Sequence, residues 1–84
     1  MKIQVTRNDI RKGIPDHPAF CPIARAIKRR THKPVAVTGD YIAIFYRKQV
    51  ATGYNTSIKV EAFIHDFDIG EKVKPFTFEL EYLK

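Results

Sequence analysis

The sequence predicts an α+β domain in which helices pack on one face of a mainly antiparallel four-stranded sheet, in the order β-α-α-β-β-α-β. Three observations lead to this class. Short stretches near both ends alternate apolar and polar residues, the centre holds two β-branched and aromatic runs around a tight turn, and two segments place apolar residues at helical spacing. Because the chain has 84 residues, we expect one domain spanning residues 1–84.

The front of the chain predicts a strand followed by a short helix. Residues 1–6 alternate apolar and polar side chains, which is the period of a strand with one buried face. Thr6 or Asn8 is suited to cap a helix over residues 8–12, and Gly13 is suited to end it. The two prolines that follow predict an extended loop before the next element.

A longer helix is predicted to begin at Pro22, whose missing N–H costs nothing at the first helical position. Cys21 then becomes the N-cap residue. The apolar face consists of Ile23, Ala26 and Ile27. Cations gather toward the C-terminal end, where they complement the helix dipole, and Pro34 prevents further extension.

The centre of the chain predicts a β-hairpin. Residues 35–37 and 41–46 are rich in β-branched and aromatic side chains and flank a Thr-Gly-Asp turn. The second run is apolar on both faces, so we expect a central strand covered on both sides or nearly so. Residues 49–56 contain Gly53 and Asn55, which predict a loop.

The last third predicts a helix and a strand. We expect the helix to begin at Ser57 and to be followed by Gly70, although a strand over residues 58–62 is a competing interpretation. Its apolar face consists of Val60, Phe63, Ile64 and Phe67. Alternating residues over 76–82 predict the closing strand.

Composition limits the class of protein. The formal net charge is +6, and the charge is uneven: residues 1–48 carry eleven Lys and Arg against three Asp, and residues 49–84 carry four Lys against six acids. A basic half favours nucleic acid, an acidic protein or an anionic lipid surface, unless its cations only keep a small domain soluble. A single cysteine favours a reducing compartment, and no apolar run approaches the roughly 20 residues of a membrane span. With no secretory signal visible, we expect a soluble cytoplasmic protein that does not contact membranes.

Cys21 is the first candidate for chemistry. A thiol at a helix N-terminus, with Arg25 one turn later, is expected to have a lowered pKa. His17 lies four residues before it, next to Asp16, which suggests a nucleophile and a base. The alternative is a small buried residue that closes the helix against Phe20. We favour that alternative and predict no enzymatic activity, because no second catalytic segment accompanies the pair.

Metal and carboxylate patterns are weak. Of the possible metal ligands only His17 and Cys21 are close in sequence, so we predict no metal and no cofactor. Asp66 and Asp68 are two residues apart on the predicted helix and do not face each other. General acid–base chemistry would therefore need a partner carboxylate from elsewhere in the chain.

Basic residues after Cys21 form the second candidate. This cluster consists of Arg25, Lys28, Arg29, Arg30, His32 and Lys33. Further cations that would join it are Arg7, Arg11 and Lys12 on the first helix, and Arg47 and Lys48 after the hairpin. Tyr46 and Tyr54 offer stacking surfaces for unpaired bases. The pattern indicates contact with phosphates, and the alternative is a solvated face.

One resemblance extends along most of the chain. The residues that carry it are Asp9-Ile10, Gly13, Cys21-Pro22-Ile23-Ala24 and Ala26-Ile27, with Phe63-Ile64, Phe67-Asp68, Gly70, Pro75-Phe76 and Phe78 in the tail. They resemble a group of small uncharacterised proteins from bacteria and their phages that share Cys-Pro-(Ile or Val)-Ala at a helix start. Some of those proteins carry a second Cys shortly before this motif, where the present chain has Pro18. The resemblance implies a phage or mobile-element context, supplies no catalytic residue, and suggests that the tail forms a hydrophobic clasp.

Three functions remain open from the sequence. The first is a non-enzymatic protein that contacts nucleic acid or a nucleic-acid-handling complex through the Arg25–Lys33 face, with Arg11 and Lys12 beside it. The second is a phage-type inhibitor or modulator that binds an acidic host defence protein. The third is a thiol-dependent sensor or enzyme that uses Cys21. An exposed edge strand would also permit a homodimer.

Overall fold

The structure is a computed structural model that describes residues 1–47 and 50–80. Its elements are β1 (Lys2–Val5), α1 (Arg7–Lys12), α2 (Pro22–Thr31), β2 (Val35–Val37), β3 (Tyr41–Arg47), β4 (Val50–Asn55), α3 (Ile58–Asp68) and β5 (Phe76–Glu79). The predicted α+β class is confirmed. The predicted number of strands and their placement in a single sheet are not confirmed.

The strands form two antiparallel sheets, a ribbon of β1 and β5 and a three-stranded sheet ordered β2-β3-β4, so the predicted single four-stranded sheet is wrong. Side chains cover both edges of the ribbon. Arg29 Nη2 donates to the Gln4 carbonyl at 2.8 Å, and Lys59 Nζ donates to the Thr77 carbonyl at 3.3 Å. Gln4 and Thr77 lie opposite each other in the ribbon. Cationic side chains therefore occupy the carbonyls that further strands would have used.

The strand β4 occupies the segment that the sequence predicts as a loop. Gly53 lies opposite Ala43 in the ladder, and a Cβ at Gly53 would overlap the hydroxyl of Tyr41. This glycine therefore accommodates a cross-strand aromatic ring. The turn that the sequence predicts at Gly53 is wrong. Tyr54, the next residue, is buried in the core.

The helix α2 connects the two sheets, since it packs against α1, β1 and β2. Its predicted apolar face is confirmed: Ile23, Ala26 and Ile27 are buried. Cys21 is the N-cap, and its Sγ accepts the Ala24 N–H at 3.4 Å. The central position of β3 is confirmed. Its outer face is only partly covered, because Tyr41 there is 46% exposed while Ala43 and Phe45 are half-buried.

A capping box fixes α1. Thr6 caps the helix by accepting the Asp9 N–H at 3.2 Å, and Asp9 Oδ2 accepts the Thr6 N–H at 2.9 Å. At the other end a Cβ on Gly13 would lie 2.6 Å from Pro22 Cδ. Only a residue without a side chain allows the end of α1 to approach the start of α2 this closely.

The tail of the chain forms the predicted helix and strand. Ser57 caps α3 by accepting the Val60 N–H, and Gly70 has a φ of 85° directly after the C-cap. The Phe63 ring contacts the rings of Phe67 and Phe76, and Phe76 contacts Phe78, with centroids 4.8 to 6.3 Å apart. The predicted end of β5 at residue 82 lies outside the described residues. Among the described helices, none has the length and apolar character needed to cross a bilayer.

Candidate functional site

A buried carboxylate organises the basic end of the molecule. Asp9 is fully buried and accepts two hydrogen bonds from Arg29, at 2.6 Å from Nη1 to Oδ1 and at 2.8 Å from Nη2 to Oδ2. Arg25 Nε lies 3.6 Å from Oδ1 of the same carboxylate. This centre joins α1 and α2, and the Arg29 bond to the Gln4 carbonyl attaches it to β1.

The Asp9–Arg29 pair is electrostatically satisfied. Burial raises the pKa of Asp9, but the hydrogen bonds from Arg29 and Thr6 outweigh it, so the pKa lies below its usual value. Two cations of the predicted cluster, Arg25 and Arg29, thus both lie beside the buried Asp9 carboxylate. The spacing Thr6-x-x-Asp9 was a capping signal in the sequence, but only the fold shows that the arginines reach it.

A basic groove lies beside this centre, between the C-terminal part of α2 and the polar face of the β1–β5 ribbon. Its volume is ≈ 490 Å³. The lining residues are Lys2, Gln4, Thr6, Ala26, Arg29, Arg30, His32 and Thr77. Four of these residues have cationic or titratable basic side chains, and no described lining residue carries a carboxylate. Lys2 was missed in the sequence analysis, although its exposed position in the alternating strand β1 was the available signal.

The predicted cluster divides between two sides of α2. At about 100° per residue, Lys28 lies roughly 160° around the helix from Arg30, which lines the groove. The Lys28 ammonium lies over the Phe20 ring, 5.8 Å from its centroid, and Phe20 is 45% exposed. Lys33 lies over the ring of Tyr46 at 5.3 Å. On this second side the cations therefore accompany aromatic rings.

The other predicted cations that the structure describes do not line the groove. Arg11 and Lys12 are exposed on α1, and Arg11 Nη2 donates to Asn8 Oδ1 at 3.2 Å. Arg47 lines a separate pocket with Pro34, and Lys48 lies outside the described residues. The structure thus groups Lys2, Arg29, Arg30 and His32.

Of the two tyrosines predicted to stack on bases, one is excluded. Tyr54 is 8% exposed and belongs to the core, so the prediction of a stacking surface there is wrong. Burial, followed by a hydrogen bond with Tyr46, raises the pKa of Tyr54. Tyr46 keeps a partly exposed ring, which Lys33 and Tyr54 hold in place.

The predicted low pKa of Cys21 is wrong. The side chain is 5% exposed, and burial raises the pKa of the thiol. His17 Nδ1 accepts the Ala19 N–H at 3.2 Å, so this nitrogen does not serve as a base toward the thiol. Cys21 is therefore a buried helix cap, as the alternative interpretation held.

A second acidic residue, Asp16 in the loop before α2, lies beside Asp68. Asp68 Oδ1 accepts the Asp16 N–H at 3.0 Å, and the charge of Asp68 raises the pKa of Asp16. Asp66 instead lies 3.6 Å from His65 Nδ1. Within residues 1–47 and 50–80, no three His, Cys, Asp or Glu side chains come together as metal ligands would.

Comparisons with protein-family models, with curated proteins and with solved structures gave no match. The resemblance to small bacterial and phage proteins therefore stays a prediction.

Proposed function

We propose that this protein is a non-enzymatic nucleic-acid-binding protein that holds phosphate groups in the basic groove. The observation that carries the proposal is the lining of that groove. Lys2, Arg29, Arg30 and His32 line it, and no described lining residue carries a carboxylate. Asp9 balances the charge of Arg29 from the buried side, and Glu79 lies opposite Lys2 in the ladder, so Arg30 is the groove cation with no acid described beside it. Cations in a concave site raise the local concentration of polyanions and supply affinity that does not depend on sequence.

Arg29 is oriented for this task before any ligand binds. It uses one N–H of Nη1 and both of Nη2 for Asp9 and Gln4, which leaves the second N–H of Nη1 and that of Nε. The Arg29 side chain is about half exposed, at 49%. A phosphate oxygen in the groove would meet a donor whose conformational entropy the Asp9 contact has already reduced.

His32 lines the groove from the end of α2. It is the C-cap of that helix in the left-handed conformation, with φ 59° and ψ 31°, and it follows Arg29 and Arg30 closely in the chain.

Binding of a fluorescein-labelled oligonucleotide, followed by anisotropy between about 50 and 200 mM salt, tests the proposal. With two to three phosphates neutralised on a single strand, we expect log affinity to fall with log salt at a slope of about −1.5 to −2. Arg30→Glu should lower the affinity and reduce the slope by about 0.7.

Lys72→Glu is the matched control. It makes the same change of net charge at an exposed residue that does not line the groove. Equal losses in both variants would show that only the overall charge matters. Displacement of the oligonucleotide by polyglutamate at equal charge concentration would instead favour an acidic protein as the ligand.

A further inference from the structure

We infer that the outer face of the three-stranded sheet binds the unpaired bases of a single-stranded nucleic acid. This inference rests on the proposed function, and it names the class of nucleic acid. The outer face is the side of β2-β3-β4 that faces away from the core. Its described positions are Ala36, Tyr41, Ala43, Phe45, Ala51, Gly53 and Asn55.

No described outer-face residue is charged, and apart from Asn55 and the hydroxyl of Tyr41 the side chains are apolar. Tyr41 and Phe45 stand above small neighbours on the same strand face, about 13 Å apart along β3. Tyr41 is 46% exposed, and Phe45 is half-buried. Partly exposed aromatic rings beside small side chains are the kind of surface on which the bases of a single strand stack without base selectivity.

Tyr41 has a defined position. Gly53 lies across the ladder from Ala43, one residue pair away from Tyr41 on the same face. A Cβ at Gly53 would overlap the Tyr41 hydroxyl, so the ring lies across the glycine. The sheet thus supports one side of the ring and leaves the rest open, which reduces the entropy lost when a base stacks on it.

Cations lie at one end of this face. Phe45 and Arg47 line one pocket with Pro34, and Lys33, the residue before Pro34, lies over the Tyr46 ring. His32, one residue earlier, lines the groove. The segment 32–34 therefore runs from the lining of the groove to the pocket at the end of the aromatic face, with Lys33 between them.

Charge and area favour a nucleic acid over a second copy of this chain. In a symmetric dimer the same face would meet itself, and any arrangement that aligned the two basic borders formed by Lys33 and Arg47 would bring like charges together. The face spans about 10 Å across the strands and about 17 Å along β3, so its plane covers about 170 Å². A stable protein interface buries about 800 Å² on each partner.

The test compares a single-stranded oligonucleotide with its duplex by anisotropy at fixed salt. We expect the single strand to bind more tightly, and Tyr41→Ala to weaken it about ten-fold or more, since a stacked base loses that much when its aromatic partner is truncated. Tyr41→Phe should bind as the wild type does. Gly53→Val keeps the tyrosine but displaces its ring, and it should also weaken the single strand.

Ile58→Ala is the control, because it removes an apolar side chain that is 85% exposed and lies on α3. Circular dichroism of each variant separates misfolding from lost binding. Unchanged single-strand affinity in both Tyr41→Ala and Gly53→Val would overturn the inference while the salt-dependent binding of the groove stood. Equal affinity for duplex and single strand, or a concentration-dependent dimer that Tyr41→Glu dissociates, would also overturn it. Loss of all salt-dependent binding would instead refute the proposed function.

Discussion

Replacing Asp9 by Asn tests whether the buried carboxylate holds the basic end of the molecule together. Asp9 accepts two hydrogen bonds from Arg29 and one from the Thr6 amide. Each hydrogen bond to a charged group contributes about 1.5–3 kcal/mol, and the exposure of Arg29 reduces this through solvent screening. Because Asn keeps one acceptor oxygen, we expect the free energy of unfolding to fall by about 2–3 kcal/mol.

Urea unfolding followed by circular dichroism measures this change. For a domain of this size the same loss corresponds to a Tm lower by roughly 10–20 °C. The lowered pKa of Asp9 fixes the pH dependence: its contribution is present above the pKa of the unfolded chain, near 3.9, and disappears as the pH falls through the lower folded value. The wild type and Asp9→Asn should therefore converge in acid.

A double-mutant cycle with Arg29→Met isolates the pair, and we expect a coupling free energy of about 1.5–3 kcal/mol. Asp66→Asn is the control, because that carboxylate is half exposed and lies 3.6 Å from His65; it should change stability by less than about 0.5 kcal/mol. An Asp9→Asn effect as small as that of Asp66→Asn, or one that persists unchanged in acid, would refute the structural role of the carboxylate.

Two further outcomes follow from buried and paired groups. Because burial raises the pKa of Cys21, native protein should react with iodoacetamide much more slowly than urea-unfolded protein at neutral pH, as measured by mass spectrometry. Equal rates would show that the thiol is accessible. The charge of Asp68 raises the pKa of Asp16, so the wild type loses stability as the pH rises through that folded value. Asp68→Asn keeps an acceptor for the Asp16 N–H, so its stability relative to the wild type should improve as the pH rises above the pKa of an unfolded Asp, near 3.9. A difference that does not vary with pH would contradict this pairing.

Local signals in the sequence predicted most of the helices. Cys21 and Pro22 mark the start of α2, Ser57 marks the start of α3, and Gly70 follows its end, because capping depends on neighbouring residues. The strand β4 was missed because Gly53 is both a turn signal and the site where a neighbouring ring crosses the sheet. Only the paired strand distinguishes these two roles.

The candidate site was predicted in part. The run of cations after Cys21 was visible in the sequence. The division of these cations between the groove and the other side of α2 was not, because the sequence does not show that Asp9 lies within reach of Arg29. Lys2 joins the groove only through the pairing of β1 with β5. Contacts between residues distant in sequence therefore decided which cations remain available to a ligand.

Salt dependence of single-stranded oligonucleotide binding tests the central claim most directly. We expect log affinity to decline with log salt at a slope of about −1.5 to −2, Arg30→Glu to reduce that slope by about 0.7, and Lys72→Glu to leave it unchanged. Absence of binding at about 50 mM salt, or equal changes in both variants, would contradict a phosphate-binding groove beside Arg29.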